Sequence, residues 1–219
     1  MKTTLYLLVT LLFAGIGVSA QSTNMNEGYI NFDIDVQAID TSRNAQQSAA
    51  MMRNSSMEIF FAKDLSRVDF TLGKISQTSV RINRKTNKGV SLSNTVMGKY
   101  VTTGTAEELE GEKVEVSTEN IDIKPFNEYR TILGFKCQKH VMDNNGVYTT
   151  YWITKKIKIE GMGEGIVNPN LPGFPLAFTS INNGLRMHFQ ASNYKDIVPN
   201  KADVFSTDVP EDYILTQGN

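Results

Sequence analysis

The stretch Cys137-Gln138-Lys139-His140 carries the residue types of a metal clamp, or of a thiol–imidazole nucleophile, at C-x-x-H spacing. Either chemistry needs the sulfur and the ring on one side of the backbone. On a strand, residues three apart point to opposite faces. Cys137 then shares a face with Phe135, Lys139 and Val141, while His140 joins Gln138 and Met142. The two cannot jointly hold one ion or pass one proton, and Cys137 reads as a small buried hydrophobe. Asp33 and Asp35 do share a face, roughly 7 Å apart along a strand, a separation close to that of glycosidase carboxylates. They alternate with Ile30, Phe32, Ile34 and Val36, which places them on a solvated face, whereas a general acid needs burial to raise its pKa. His188, flanked on its face by Arg186 and Gln190, reads as an exposed strand histidine. No G-x-S-x-G, H-E-x-x-H, phosphate-loop or G-x-G-x-x-G pattern stands in a supporting strand–helix context. The residues therefore call for no catalytic group, no metal and no cofactor. A hydrolase built on Asp33, Asp35 or His188 is the remote alternative.

Those residues must be positioned by strands, because strands dominate the chain. Residues 28–38 alternate apolar and polar with period two, as a half-buried strand does. Asp40-Thr41 offers an N-cap for a thin helical stripe, Ala45, Ala49 and Met52, running to about Asn54. MEIFFA and RVDFTL flank a hairpin at Lys63-Asp64-Leu65-Ser66. A strand with Val80 and Ile82 turns at Asn87-Lys88-Gly89 into one with Val90 and Leu92. Thr105-Ala106-Glu107-Glu108 matches a capping box for a short acidic helix limited by Gly111, and Val114–Ile123 alternates again. Ile132–Met142 and Val147–Thr154 surround an Asn-Gly turn, and Asn182-Asn183-Gly184 repeats the device before Leu185, Met187, Phe189 and Ala191. Between these hairpins lies a Pro/Gly segment over 161–175 with a rim or surface role. Strands joined by short turns, with two weak helices, predict a mainly β (α+β) fold built on one large antiparallel sheet.

Composition narrows the function classes. The 219 residues hold one Cys, one Trp and two His, so no disulfide forms within the chain and no multi-thiolate zinc site exists. Lys and Arg number 22 against 23 Asp and Glu, a formal charge of -1, which argues against a nucleic-acid partner. Lys2 followed by the apolar run Leu5–Val18 and the small residues Val18-Ser19-Ala20 reads as a secretory signal peptide. The expected product is exported, periplasmic or secreted after cleavage near Ala20, with residues 21–219 as one domain. No Cys follows the cleavage site to take a lipid, and no second long apolar run follows, so membrane contact is at most peripheral.

Several stretches, in this order, resemble a family of exported proteins of Bacteroidetes-type bacteria, the domain-of-unknown-function family 4412, close to the GLPGLI-type proteins. They are EGYINFDI (27–34), MEIFFAKDLSRVDF (57–70), INRKTNKGVSLS (82–93), MGKYV (97–101), ILGFKCQKHVM (132–142), YWITKKIKI (151–159), LPGFPLAF (171–178) and VFSTDVPEDY (204–213). The resemblance implies a fold similar to the LolA-like and LppX-like lipoprotein carriers: a sheet curved into an open half-barrel with short helices over an apolar mouth. It transfers no catalytic residue, since the family has no established activity.

Large apolar residues on or beside strands fit either a filled core or a concave groove for an acyl chain. They are Phe60, Phe70, Trp152, Phe174, Phe178, Met187 and Phe189. The resemblance favours the groove, and Phe60, Phe70, Trp152, Phe178, Met187 and Phe189 are the residues expected to line it. The helix at 41–54 and the 161–175 segment would cover it. Basic clusters at Arg81, Arg84, Lys85 and Lys88, and at Lys155, Lys156 and Lys158, fit protected sheet edges or contacts to anionic headgroups or an acidic partner. The expected function is an exported, non-enzymatic binding protein for a lipid, an acyl ligand or a lipidated envelope protein. The alternative is a structural module of the envelope with a filled core.

Overall fold

The computed structural model describes residues 24–25, 27–110, 121–144, 147–159, 170–182 and 184–216. The expected leader at Met1–Ala20 and most of the 161–175 segment lie outside the described residues. In chain order the elements are β1 (Asn24–Met25), β2 (Gly28–Ala38), α1 (Arg43–Met51), β3 (Ser55–Ala62), β4 (Leu65–Leu72), β5 (Ser76–Asn83), β6 (Lys88–Thr95), β7 (Gly98–Gly104) and α2 (Ala106–Glu110). There follow β8 (Ile121–Ile132), β9 (Phe135–Asn144), β10 (Val147–Thr154), β11 (Lys158–Ile159), β12 (Phe174–Asn182), β13 (Leu185–Lys195), α3 (Lys201–Val204) and β14 (Ile214–Leu215).

The period-two pattern of 28–38 becomes β2, with Ile30, Phe32, Ile34 and Val36 buried and Asp33 and Asp35 exposed. Twelve strands form one open sheet in the order β14-β7-β6-β5-β4-β3-β2-β13-β12-β10-β9-β8, with β1 and β11 pairing separately. Neighbours are antiparallel apart from β14 on β7. This is the expected single antiparallel sheet, curved and unclosed, with few short helices. The pairing of β2 with β13 joins two meanders, one from each half of the chain.

Curvature follows from side-chain contacts. Phe70 on β4 and Phe189 on β13 are three strands apart, about 14 Å in a flat sheet. Their rings lie 6.5 Å apart. The face they share is therefore concave. Helix α1 lies over this face, with Ala49 in the main apolar cluster. Its N-cap is Ser42, whose hydroxyl accepts from the Ala45 N–H at 3.3 Å, rather than Asp40-Thr41; Asp40 instead accepts from the Ser42 N–H. The capping box of α2 closes as expected. The Glu108 N–H donates to Thr105 Oγ1 at 3.2 Å, and the Thr105 N–H donates to Glu108 Oε2 at 2.7 Å.

One expected strand is split. Ile132–Met142 is not continuous: Leu133 and Gly134, with φ of 50° and 82°, form a two-residue turn between β8 and β9. Leucine pays to adopt positive φ, so it gives no turn signal in sequence. Strand β8 itself runs well beyond Ile123 and includes Pro125, which the sheet tolerates because β8 is an edge strand. Residues 114–120 of the expected Val114–Ile123 strand lie outside the described residues.

The convex face is covered in part by the C-terminal segment, which the sequence did not announce. Val198 and Phe205 pack on Ala62, Phe60 and Leu65, and Tyr213 packs on Val90, Leu92 and Val101. Arg67 and Arg81 anchor it by donating to the carbonyls of Val204 (3.3 Å) and Ser206 (3.1 Å).

Candidate functional site

The groups that could do chemistry are held apart. Cys137 faces Arg130 across the β8–β9 pair, whereas His140 faces Tyr151 across β9–β10. The carbonyl of Gln138 can only accept, so His140 donates its Nδ1–H to it, at 3.2 Å. Cys137 is wholly buried, and burial pushes its thiol pKa up to about 11, so it stays protonated and unreactive near neutrality. Asp33 and Asp35 are exposed on the convex face. His188 sits opposite Asp35 and meets Thr179 Oγ1 at 3.1 Å; burial, then the charge of Arg130, lowers its pKa. Among the described residues no three His, Cys, Asp or Glu side chains converge on one point where a metal could sit.

The six expected groove residues divide between the two faces. In ladder order, His140, Tyr151, Phe178, Phe189, Ile34 and Ser55 form one cross-strand row over β9, β10, β12, β13, β2 and β3. Phe178 and Phe189 stack in it at 4.3 Å and 10°, and Tyr151 stacks on Phe178 at 5.9 Å. Met187, opposite Val36, and Phe70, opposite Met57, share this concave face. Phe189 is buried, while Phe70, Phe178, Met187 and Tyr151 remain partly exposed. Phe174 is buried beside Phe32, 6.5 Å between rings.

Phe60 is a correction to the expected lining, and Trp152 stands on the other side of β10 from Tyr151 while packing against the main apolar cluster. Phe60 pairs with Arg67 and Tyr29 on the convex face, where Arg67 lies 5.3 Å over its ring and the C-terminal segment covers it. Trp152 pairs with Lys139 and Ala177. The Arg130 guanidinium stacks 4.4 Å from the Trp152 ring and donates to Gln190 Oε1 at 3.2 Å. Both residues alternate with neighbours that are themselves apolar, so their faces depend on register, which a single segment does not encode.

The concave face has a polar end that sequence reasoning did not assemble. A pocket of about 590 Å³ opens between the Leu133–Gly134 turn and the end of β10. Lys136, Gln138 and His140 project into it from alternate positions of β9, on the face of Tyr151 and Phe178. Lys155 and Lys156 line the other side, while Phe135, Ile153 and Tyr129 supply apolar wall. The Phe135 ring meets Tyr194, the partner of Ile30, at 5.4 Å. The pocket thus lies toward the Ile30 end of β2, whereas α1 lies over the face toward the Ala38 end. Of the basic clusters, Arg84 reaches Ser66 Oγ at 3.3 Å and Arg81 serves the C-terminal segment, while Lys85 and Lys88 are exposed at a turn. The side chain of Lys158 lies outside the described residues.

A model of the family described as "Domain of unknown function (DUF4412)" matches residues 44–160. No curated protein matches the chain significantly. Among solved structures, PNGF-II in space groups P21 and C2 is similar at TM-scores of 0.47 and 0.45, each at 15% identity. These matches take in 88% of this chain and 32% and 31% of that one, so the chain spans about a third of the length of PNGF-II. The LolA superfamily protein NE2245 from Nitrosomonas europaea is similar at a TM-score of 0.23 and 9% identity, over 83% of this chain and 90% of that chain.

Proposed function

The chain belongs to the family described as domain of unknown function DUF4412, and from the geometry of its concave face we propose that it is an exported, non-enzymatic binding protein. It holds an acyl chain, of a lipid or a lipidated envelope partner, against that face. The supporting observation is the apolar floor: Phe70, Phe178, Met187 and Tyr151 are partly exposed on one concave surface of an unclosed sheet. An apolar guest removed from water there gains about 0.8 kcal/mol per methylene. Placement supports the non-enzymatic reading: Cys137 and His140 stand on opposite faces of β9, and Asp33 and Asp35 are solvated. Export rests on the Met1–Ala20 pattern.

A second reading, an envelope module with a filled core, draws on the contact between Phe70 and Phe189, which narrows the trough. Uptake of a neutral long-chain monoacylglycerol bearing a fluorophore separates the two. The carrier reading expects uptake, and expects Met187→Asp to weaken it at least about tenfold, since a carboxylate on the floor must be desolvated under the guest. Ile181→Asp makes the same change on the convex face, at an exposed position, and leaves affinity nearly unchanged. No uptake by the unmodified protein, or equal affinity in the two variants, contradicts the carrier.

A further inference from the structure

We propose that the pocket between the Leu133–Gly134 turn and the end of β10 binds an anionic group, a carboxylate or phosphate. Its ligand is therefore an anionic amphiphile whose apolar part lies along the apolar floor. The apolar half of this statement rests on the carrier reading; the anion site rests on the pocket itself.

Among the described residues, three lysines line the pocket, Lys136, Lys155 and Lys156, and no carboxylate does. A concave wall with one sign of charge and apolar backing focuses its potential more than the same charges on an open surface. The apolar backing here is Phe135, Ile153 and Tyr129. The lysines are also held in place. The Lys136 ammonium sits 4.2 Å over the Tyr129 ring. The bend that carries Lys155 and Lys156 is fixed by buried Thr154, whose Oγ1 accepts from the Lys156 N–H at 3.3 Å. Gly173 packs against the same bend so closely that a Cβ would lie 2.6 Å from the Thr154 carbonyl oxygen. Position then connects charge to chain: His140, on the pocket wall, heads the cross-strand row that continues through Tyr151 and Phe178 to Phe189. A head group in the pocket directs its tail onto the floor.

The test compares three probes: a long-chain alkyl phosphate, the neutral monoacylglycerol, and inorganic phosphate as a competitor. Two triple variants lose equal charge. One is Lys136→Ala, Lys155→Ala, Lys156→Ala; the other removes Lys63, Lys85 and Lys88, which are exposed in turns or at a strand end elsewhere. The unmodified protein and the second variant bind the alkyl phosphate at least about tenfold more tightly than the neutral probe, and the pocket variant loses that preference. With the unmodified protein, added salt weakens the alkyl phosphate and leaves the neutral probe unaffected, a measurement independent of how the variants fold. Competition by inorganic phosphate identifies a site for the free anion; its failure identifies a head-group site that needs the tail. Lysine-dependent phosphate binding without uptake of the neutral probe upholds the anion site and removes the carrier reading. Alkyl phosphate affinity that is equal in the two triple variants, or insensitive to salt, overturns the anion site and leaves the apolar floor standing.

Discussion

Replacing Phe189 by alanine lowers the free energy of unfolding by about 3–5 kcal/mol. The ring is 6% exposed and occupies the centre of the concave face. It stacks on Phe178 at 4.3 Å and meets Phe70 at 6.5 Å, so it is the contact through which two rows of the floor touch. Its strand, β13, pairs with β2 and so joins the two meanders; Phe189 lies opposite Ile34 in that ladder. Truncation removes the transfer free energy of the ring and leaves a hole that only partly exposed neighbours could fill. Equilibrium denaturant unfolding followed by circular dichroism measures the change. A loss below about 1 kcal/mol would show that the floor is loosely packed and that Phe189 does not organise it.

Gly73→Ala is the second large effect, expected at about 2–3 kcal/mol with loss of protection in α1. Gly73 adopts φ +48°, a region that costs a side-chain-bearing residue. A Cβ there would lie 2.1 Å from the Met51 carbonyl oxygen and 2.9 Å from the Met52 Cα, both backbone atoms that cannot swing aside. The glycine belongs to the latch that seats the end of α1. Its N–H donates to Ser55 Oγ at 3.1 Å, and the Ser55 hydroxyl donates to the Met52 carbonyl at 2.6 Å. Pushing this turn away lifts the C-terminal end of the helix from the concave face. Thermal unfolding gives the stability change, and hydrogen exchange of the α1 amides reports the undocking. An unchanged midpoint with full protection in α1 would contradict the latch.

Much of the sheet was legible because its segments obey local rules. β2 follows from strict alternation, and the pairing of Asn144 with Val147 follows from the Asn-Gly between them in the sequence. The capping box of α2 follows from Thr105 and Glu108. The turn at Leu133 was hidden because leucine carries no turn signal, and β8 because Pro125 argues against a strand unless the strand is known to be an edge. The face of Phe60 was hidden for another reason. Ile59, Phe60 and Phe61 are all apolar because both faces of β3 are covered, one by the core and one by the C-terminal segment. Tyr151 and Trp152 divide in the same way. The lysine-lined pocket could not be read at all: Lys136 and Lys155 are brought to one cavity by the β9–β10 register. What the sequence did show without register was the separation of Cys137 from His140, since that depends only on their spacing within one strand.

An acyl chain carried on the concave face is tested most directly by what accompanies the protein when it is purified from its native source. The protein, purified gently from that source, is extracted with organic solvent and the extract analysed by mass spectrometry beside a matched control protein. An acyl-bearing species with an anionic head group is expected, close to one equivalent per chain and absent from the control. An extract free of such a species, from protein that also takes up no added acyl probe, would contradict it.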